Sequence, residues 1–292
     1  MSFADDALAL LEAFAARAEL PRVKALHLPP PPPPGGLRGE FCALELQDGL
    51  VGQSYVLLDR TWEGLTAQQQ DARHDALVGQ DALAVARGYR SADPLERTIG
   101  FAAMNAITRC LFDRAGFAPP PSGDSIGGLD PQPGETIGMI GHFTPLMPRI
   151  AERGARLLVV ELRPELVGEA GNVRVTLDAS ELAACRKVLA TGTLLLNDTL
   201  DRMLAHCAHA THFVMIGPSV GCPPDPLFAR GVTLLGGSWV TDSAGFVRAL
   251  RAGEPTKAFT RKFSLQAKDH PGWSALVERA ATRPATSRPA AP

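Results

Sequence analysis

The stretch from Glu135 to Glu161, ETIGMIGHFTPLMPRIAERGARLLVVE, decides the fold. Thr136 to Ile140 is a short apolar run that predicts a buried strand, and Arg156 to Glu161 predicts the next strand. Between them we expect a helix from Pro145 to about Arg153 with Thr144 as its cap, because proline lacks the N–H that would be unpaired at a first helical position. This pattern predicts one parallel βαβ unit, with the positive end of its helix at a crevice where ligands commonly bind.

Further along the chain the alternation of strands and helices continues. Strands are predicted near residues 187–190, 213–217 and 232–236, and a helix over 242–252 ends before Gly253. Strands that alternate with helices in this way form a parallel sheet covered on both faces. The C-terminal half is therefore predicted to be a Rossmann-like domain.

The N-terminal half has a different pattern. An amphipathic helix is predicted over residues 3–19, and two apolar runs at 41–46 and 51–58 predict a β-hairpin. A helical pattern covers 66–86, and a second helix over 94–115 is apolar on most sides, so it should be buried. We expect an α+β domain, which makes the fold class α/β as a whole.

Composition shifts place the domain borders. The N-terminal domain is expected to cover residues 1–116, and a segment rich in Pro, Gly, Ser and Asp predicts a linker at 117–134. The Rossmann-like domain then covers 135–280, and the remaining residues, 281–292, are predicted to be disordered. The six prolines from Pro29 to Pro34 are typical of a stiff surface connector, although they could also bind a partner's aromatic groove.

Composition also excludes several classes of protein. A net charge of −2 over 292 residues gives no reason to expect nucleic acid or an anionic membrane as a partner. No apolar stretch is long enough to span a bilayer, and the acidic N-terminus differs from a secretory signal, so we expect a cytoplasmic protein. The five cysteines are odd in number and widely spaced, which argues against a disulfide framework. The oligomeric state stays open, and a homo-oligomer is compatible with the sequence.

Ligands of open parallel sheets bind beyond the carboxyl ends of the strands, and this rule selects candidate residues. Asn105 is a further candidate, because its polar amide interrupts an apolar helix and a buried amide must find hydrogen-bond partners. It either stabilises the core or reaches the cleft between the domains. Gly221 and Cys222 follow the fourth of these strands in the sequence. The predicted ligand-binding residues are Asn105, Gly141, His142, Thr144, Glu161, Thr191, Gly192, Thr193, Asn197, Gly217, Pro218 and Ser219.

Several of these residues have more than one interpretation. His142 is a candidate acid or base and a candidate metal ligand, but a hydrogen-bonded loop histidine is the common alternative. Glu161 stands where a dinucleotide-binding fold keeps its ribose carboxylate, although the GxGxxG pattern is absent. Asn197 could simply cap the following helix. His142, Glu161 and Cys222 would together form a metal site only if the loops bring them within coordination distance.

The segment from His206 to His212, HCAHATH, has the spacing of a metal motif. It ends a predicted helix and enters a strand, so we expect it at the amino edge of the sheet, opposite the crevice. Histidine at a helix C-terminus also interacts favourably with the helix dipole. A surface role is the prediction for this segment.

Five segments resemble the DUF364 family of heavy-metal chelation domains. They are IGFAAMNAI (99–107), IGMIGHFTPLMPRI (137–150), VVELRP (159–164), ATGTLLLNDTLDRML (190–204) and FVMIGPSVGCPPDPLFARGVTLLGGSWV (213–240). The resemblance implies an N-terminal domain similar to that of enolase, a Rossmann-like domain, and a ligand site between them. It also implies metal chelation or a part in corrinoid-type cofactor pathways.

We therefore expect a protein that binds a small anionic ligand or a metal complex in the interdomain cleft, with a transition metal ion or its complex as the implied cofactor. The alternative is an enzyme acting on a nucleotide-like or corrinoid-pathway precursor, with His142 as its acid or base. An interaction scaffold that uses the proline run is a third hypothesis.

Overall fold

The computed structural model describes residues 2–31, 41–56, 60–124 and 126–282. Half of the Pro29–Pro34 run and most of the predicted C-terminal tail lie outside the described residues. None of the helices in the described part combines the length and the apolar character that crossing a membrane requires.

A small antiparallel sheet forms the first layer of the molecule, and its strand order is β1-β2-β3. The predicted hairpin is confirmed between β2 and β3, where Gly49 has a φ of +81° and the Asp48 carboxylate accepts the Leu50 N–H at 3.2 Å. Strand β1 was not predicted from the sequence. The three strands are β1 (Val23–His27), β2 (Phe41–Leu46) and β3 (Val51–Tyr55).

In the part of this half that the structure describes, four α-helices accompany the sheet. The fourth is the central helix of the molecule, capped by the Asp93 carboxylate, which accepts the Leu95 N–H at 2.8 Å. The prediction of a single helix over 66–86 is wrong. The chain turns at Ala72, where φ is +57°, and continues as a 3-10 segment. The helices are α1 (Phe3–Ala15), α2 (Thr61–Gln70), α3 (Ala82–Ala86) and α4 (Pro94–Arg114).

A large sheet forms the second layer, in the order β11-β10-β9-β8-β4-β5-β7-β6. Its six inner strands are parallel, while β6 and β11 run antiparallel at the edges. The fold class predicted from the sequence is therefore confirmed. The strands are β4 (Thr136–Ile140), β5 (Arg156–Val160), β6 (Gly168–Ala170), β7 (Val173–Thr176), β8 (Lys187–Thr191), β9 (His212–Ile216), β10 (Leu234–Val240) and β11 (Thr260–Gln266).

The helix predicted to begin at Pro145 is shorter than expected. It begins at Met147. In a helix that began at Pro145, the fourth residue would be Pro148, and its N–H would have to donate to the Thr144 carbonyl. Proline has no N–H, so the helix cannot begin there. Thr144 is therefore not its cap. The helices of this half are α5 (Met147–Ala151), α6 (Leu200–His206), α7 (Asp225–Phe228), α8 (Ser243–Ala252) and α9 (Trp273–Thr282).

One apolar core joins both sheets. It includes Phe101 of α4, Met215 of β9 and Trp273 of α9, all buried. The Trp273 indole N–H donates to the Leu10 carbonyl of α1 at 2.8 Å, so the last helix packs beside the first. The C-terminal end of the chain is thus tied to the N-terminal layer.

The segment predicted as a linker is paired with the sheet edge. Ser264 N–H donates to the Pro120 carbonyl at 3.0 Å, and Ser122 N–H donates to the Lys262 carbonyl at 3.1 Å. Arg261 donates to the Pro119 carbonyl at 3.0 Å. We call residues 119–122 the edge strap, because they lie along β11 in the manner of a further strand.

Candidate functional site

The carboxyl ends of the inner strands meet on one rim, as the topology requires. Strands β5 to β7 lie on one side of β4 and strands β8 to β11 on the other, so the strand order reverses between β4 and β8. There the loop residue Gly141 lies beside Thr191, the last residue of β8. Gly141 has a φ of +89°, and a side chain there would begin 3.0 Å from the Thr191 methyl group. Glycine is needed at this position for both reasons.

The next loops continue the same rim. A side chain at Gly192 would begin 2.7 Å from Val220 and 3.5 Å from the Ser219 hydroxyl, so the loops after β8 and β9 are adjacent. Gly217 lies beside them, with its N–H donating to the Gly236 carbonyl of β10 at 3.0 Å. The structure therefore gathers the predicted loops after β4, β8 and β9 at neighbouring positions.

Glu161 fastens the loop that follows β4. Its carboxylate accepts the His142 N–H at 3.0 Å and the Leu162 N–H at 2.7 Å. The Arg163 guanidinium is 3.9 Å away. The carboxylate is thus engaged by backbone donors at the ends of both strands.

The polar side chains of this rim hydrogen-bond to one another. The Thr144 hydroxyl lies 3.2 Å from His142 Nδ1, and the Thr193 hydroxyl donates to that of Thr191 at 3.2 Å. The Asn197 side-chain oxygen accepts the Thr199 hydroxyl at 2.6 Å, while helix α6 has no side-chain cap. The interpretation of Asn197 as a helix cap is therefore wrong.

Asn105 joins the two layers of the molecule. Its Nδ2 donates to the Gln53 carbonyl of β3 at 2.7 Å and to the Ser219 carbonyl at 2.9 Å. The residue is 4% exposed, and its Oδ1 is buried without a hydrogen-bond partner. Both roles considered for Asn105 are thus present, since it bridges the layers and also lines the cleft.

The cleft between the layers is an open groove of about 420 Å³ when the solvent at its mouth is counted. The N-terminal layer contributes Gly52 and Asn105 to its lining, and the C-terminal layer contributes Pro218, Gly221 and Trp239. Of the predicted ligand-binding residues, only Asn105 and Pro218 line this cleft. Ser219 is connected to the cleft indirectly, because its carbonyl accepts a hydrogen bond from Asn105. The other predicted residues lie along the rim.

A buried arginine forms a second bridge across the cleft. Arg109 is 9% exposed, and its guanidinium carbon lies 3.7 Å from the centre of the Trp239 ring. It donates to the Asp113 carboxylate and to the Val240 carbonyl, both at 2.8 Å. Stacking and ion pairing hold the cation against the indole, so Trp239 is a fixed wall of the cleft.

Sequence reasoning named Asn105 but missed Arg109 and Trp239. Arg109 stands four residues after Asn105, so the two lie on the same face of α4. Two strongly polar residues at this spacing in the largely apolar middle of the helix are the signal that could have identified both as cleft residues. Nothing in the local sequence of β10 marks Trp239.

The structure does not assemble the predicted metal site. Within residues 2–31, 41–56, 60–124 and 126–282, no three His, Cys, Asp or Glu side chains are placed to hold one metal ion. Cys222 is packed in the core rather than beside His142 and Glu161, and burial raises the pKa of its thiol to about 12. A neutral thiol is a poor metal ligand.

The His206–His212 segment lies where it was predicted. It begins at the C-terminal residue of α6 and ends at the first residue of β9, at the amino edge of the sheet. His209 and His212 are exposed. This position is opposite the rim that carries Gly141 and Thr191.

Comparison with known proteins agrees with this architecture. Residues 125–268 match the DUF364 family model and residues 39–108 match the DUF4213 model, both described as "Putative heavy-metal chelation". The chain is 28% identical over 156 residues to an uncharacterized protein of Methanocaldococcus jannaschii. That alignment covers 52% of this chain and 58% of the relative, less than two thirds of its length.

Two crystal structures of DUF364 proteins of unknown function are similar to the whole molecule. They come from Desulfitobacterium hafniense and Pyrococcus horikoshii, with TM-scores of 0.62 and 0.60. Each is 18% identical; the alignments cover 88% and 91% of this chain and 98% of each of those chains. Residues 125–268 of the chain therefore belong to the DUF364 family, and residues 39–108 to the DUF4213 family.

Proposed function

We propose that the protein binds a small organic molecule, or a metal ion carried by one, in the cleft between its two layers. The observation that supports this is Asn105, which lines the cleft and whose buried Oδ1 has no hydrogen-bond partner. A buried acceptor without a donor costs about 1–3 kcal/mol, and a bound molecule would offset that cost.

The lining of the cleft argues against a bare heavy-metal ion as the ligand. Among the described residues that line it there is no histidine, cysteine, aspartate or glutamate. Heavy transition metals prefer nitrogen and sulfur donors, and the side-chain oxygens of Gln53, Asn105 and Ser238 do not meet that preference. A metal would therefore arrive with its own chelator, as cargo of the cleft.

The amide orientation of Asn105 is determined by its surroundings. Both groups that Nδ2 meets are backbone carbonyls, which only accept hydrogen bonds, so the nitrogen must face them. The oxygen is turned away from both carbonyls and lies 3.9 Å from where a Cβ at Gly221, another cleft residue, would stand. This amide therefore offers the ligand an acceptor.

Native mass spectrometry of untagged protein tests the proposal. We expect a small molecule that leaves the protein on denaturation, and we expect Asn105→Leu to lose it. The matched control is Asn172→Leu, which removes an amide that donates to the Ala155 carbonyl at 2.6 Å, in the turn between β6 and β7. Melting temperatures of both variants show whether each is folded.

Metal analysis of the same samples separates the two kinds of ligand. Ni²⁺, Cu²⁺ or Zn²⁺ salts alone should bind at well below one equivalent and should not raise the melting temperature. Stoichiometric uptake of such a salt by empty wild-type protein, unchanged in Asn105→Leu, would contradict the proposal.

A further inference from the structure

We propose that the part of the cleft between Gly221 and the Asn105 amide oxygen takes an N–H or O–H donor carried by a planar ring. This inference rests on the proposed function and specifies the chemistry of its ligand. It makes Gly221 the residue that keeps the donor subsite open.

The acceptor side of this subsite is set by Asn105. Its Nδ2 is engaged by the Gln53 and Ser219 carbonyls, and its Oδ1 has no partner. An oxygen that carries lone pairs repels carboxylate and phosphate oxygens and attracts N–H and O–H groups. The group that enters here is therefore a donor, in contrast to the anion expected from the sequence.

The space beside this oxygen exists because residue 221 is glycine. A Cβ at Gly221 would lie 3.7 Å from Cγ and 3.9 Å from Oδ1 of Asn105, at ordinary contact distance. Gly221 is not among the glycines with positive φ, so its backbone does not require glycine. The absent side chain leaves room on the cleft side of the amide.

The walls of the cleft favour a flat ligand. Phe112, Trp239 and Phe263 line it, and the rings of Phe112 and Trp239 are nearly parallel, with 18° between their planes and 6.3 Å between their centres. Aromatic walls of this kind accept ring systems with a few fixed polar contacts. A planar heterocycle with a ring N–H meets both conditions.

The first experiment needs no ligand. A serine at position 221 can place its hydroxyl within hydrogen-bonding reach of Oδ1 and so supply the missing donor. Gly221→Ser should melt a few degrees higher than Gly221→Ala. Gly123 has no atom near its Cβ direction and no positive φ, so Gly123→Ser and Gly123→Ala are the matched controls and should melt alike.

The second experiment uses two probes, 5-fluoroindole and its N-methyl derivative, followed by ¹⁹F NMR titration. The N–H probe should bind wild type and Gly123→Ala at least about tenfold more tightly than the methylated probe. Gly221→Ala and Gly221→Ser should reduce its affinity to that of the methylated probe.

The proposal is overturned if the two probes bind alike, if neither binds, or if Gly221→Ser is no more stable than Gly221→Ala. None of these results removes the molecule that co-purifies with wild type and is lost in Asn105→Leu, so the proposed function would survive them. Absence of that molecule would instead count against the proposed function itself.

Discussion

His74 is a buried histidine whose two ring nitrogens have no hydrogen-bond partner. Burial lowers the pKa of its imidazole below the usual value of 6.5. The unfolded chain therefore binds a proton at a higher pH than the folded chain does. The stability linked to His74 is fully present above pH 6.5 and is lost as the pH falls toward the folded-state pKa.

We predict that the free energy of unfolding of the wild-type protein falls as the pH is lowered from 7 to 5.5. His74 contributes at most about 1.4 kcal/mol per pH unit to this loss. His74→Leu should have a flatter profile over the same range, measured by urea denaturation at each pH. Replacement of the exposed His209 by leucine is the control. Parallel profiles for wild type and His74→Leu would show that His74 does not titrate on unfolding.

At the scale of single residues, the sequence identified Asn105 of α4 and missed Arg109. An amide on a helix that is apolar on most sides must find partners, and this reasoning selects Asn105. It cannot say which partners, because Gln53 and Ser219 are 52 and 114 residues away along the chain. The orphan acceptor follows from those partners and is visible only in three dimensions.

At the scale of elements, strand β3 and helix α4 approach each other through Gly52. A Cβ at Gly52 would lie 2.2 Å from both the Ala102 carbonyl oxygen and the Ala106 nitrogen. Neither backbone atom can move without displacing the helix. The closeness of this contact also places Asn105 within reach of the Gln53 carbonyl.

Gly52→Ala should therefore lower the free energy of unfolding by about 3 kcal/mol or more, because it forces the strand away from the helix. Urea denaturation measures the loss. Gly123→Ala, where a Cβ meets nothing, should stay within about 0.5 kcal/mol of wild type. A Gly52→Ala variant as stable as its control would mean that β3 does not pack this closely.

The loop after β4 is held to the end of β5 by the Glu161 carboxylate. Glu161→Gln replaces one accepting oxygen with a donor, so the loop should open locally while the sheet stays intact. Hydrogen exchange of the His142 amide should become faster by a factor of about ten, which corresponds to about 1.4 kcal/mol.

Core amides of β4, such as that of Met139, should exchange at the wild-type rate in Glu161→Gln. The exposed Glu165→Gln substitution is the control for loss of a carboxylate. Unchanged exchange at His142 would show that the carboxylate does not hold the loop.

Strands were easier to predict than helices in this chain. The apolar runs of β4, β5, β8 and β9 are buried on both faces and stand out in the sequence, as do the buried Leu234 and Leu235 that begin β10. The strand β6 is short and exposed, so it carries no apolar signal. Helix α5 was misjudged because Thr144 and Pro145 form a helix-start pattern that Pro148 then prevents.

At the scale of the whole molecule, one apolar core spans both layers, and Trp273 connects the last helix to the first. The indole is 2% exposed, and it joins α9 to α1 through the Leu10 carbonyl. The two layers should therefore unfold together. Calorimetry of wild type should show one transition.

Trp273→Ala should lower that transition as a whole, with a loss of about 3–5 kcal/mol in the free energy of unfolding. Two separated transitions, with only one of them shifted by the substitution, would contradict a shared core.

The division of the chain into two halves could be predicted because composition and periodicity change between residues 117 and 134. The close packing of the two halves against each other could not be predicted from the sequence. It depends on contacts between distant residues, such as Arg109 with Val240, and on the way the edge strap lies on β11. Proline and glycine content indicates an irregular segment but says nothing about what that segment pairs with.

The edge strap has a consequence for protein engineering. Because residues 119–122 complete the border of the C-terminal sheet and Pro119 also lines the cleft, they belong physically to the half that follows them. A chimera of two relatives should therefore be joined upstream of Pro119, so that the strap is inherited with the sheet. A junction placed after it would leave β11 beside a foreign neighbour and alter the entrance through which a guest molecule passes.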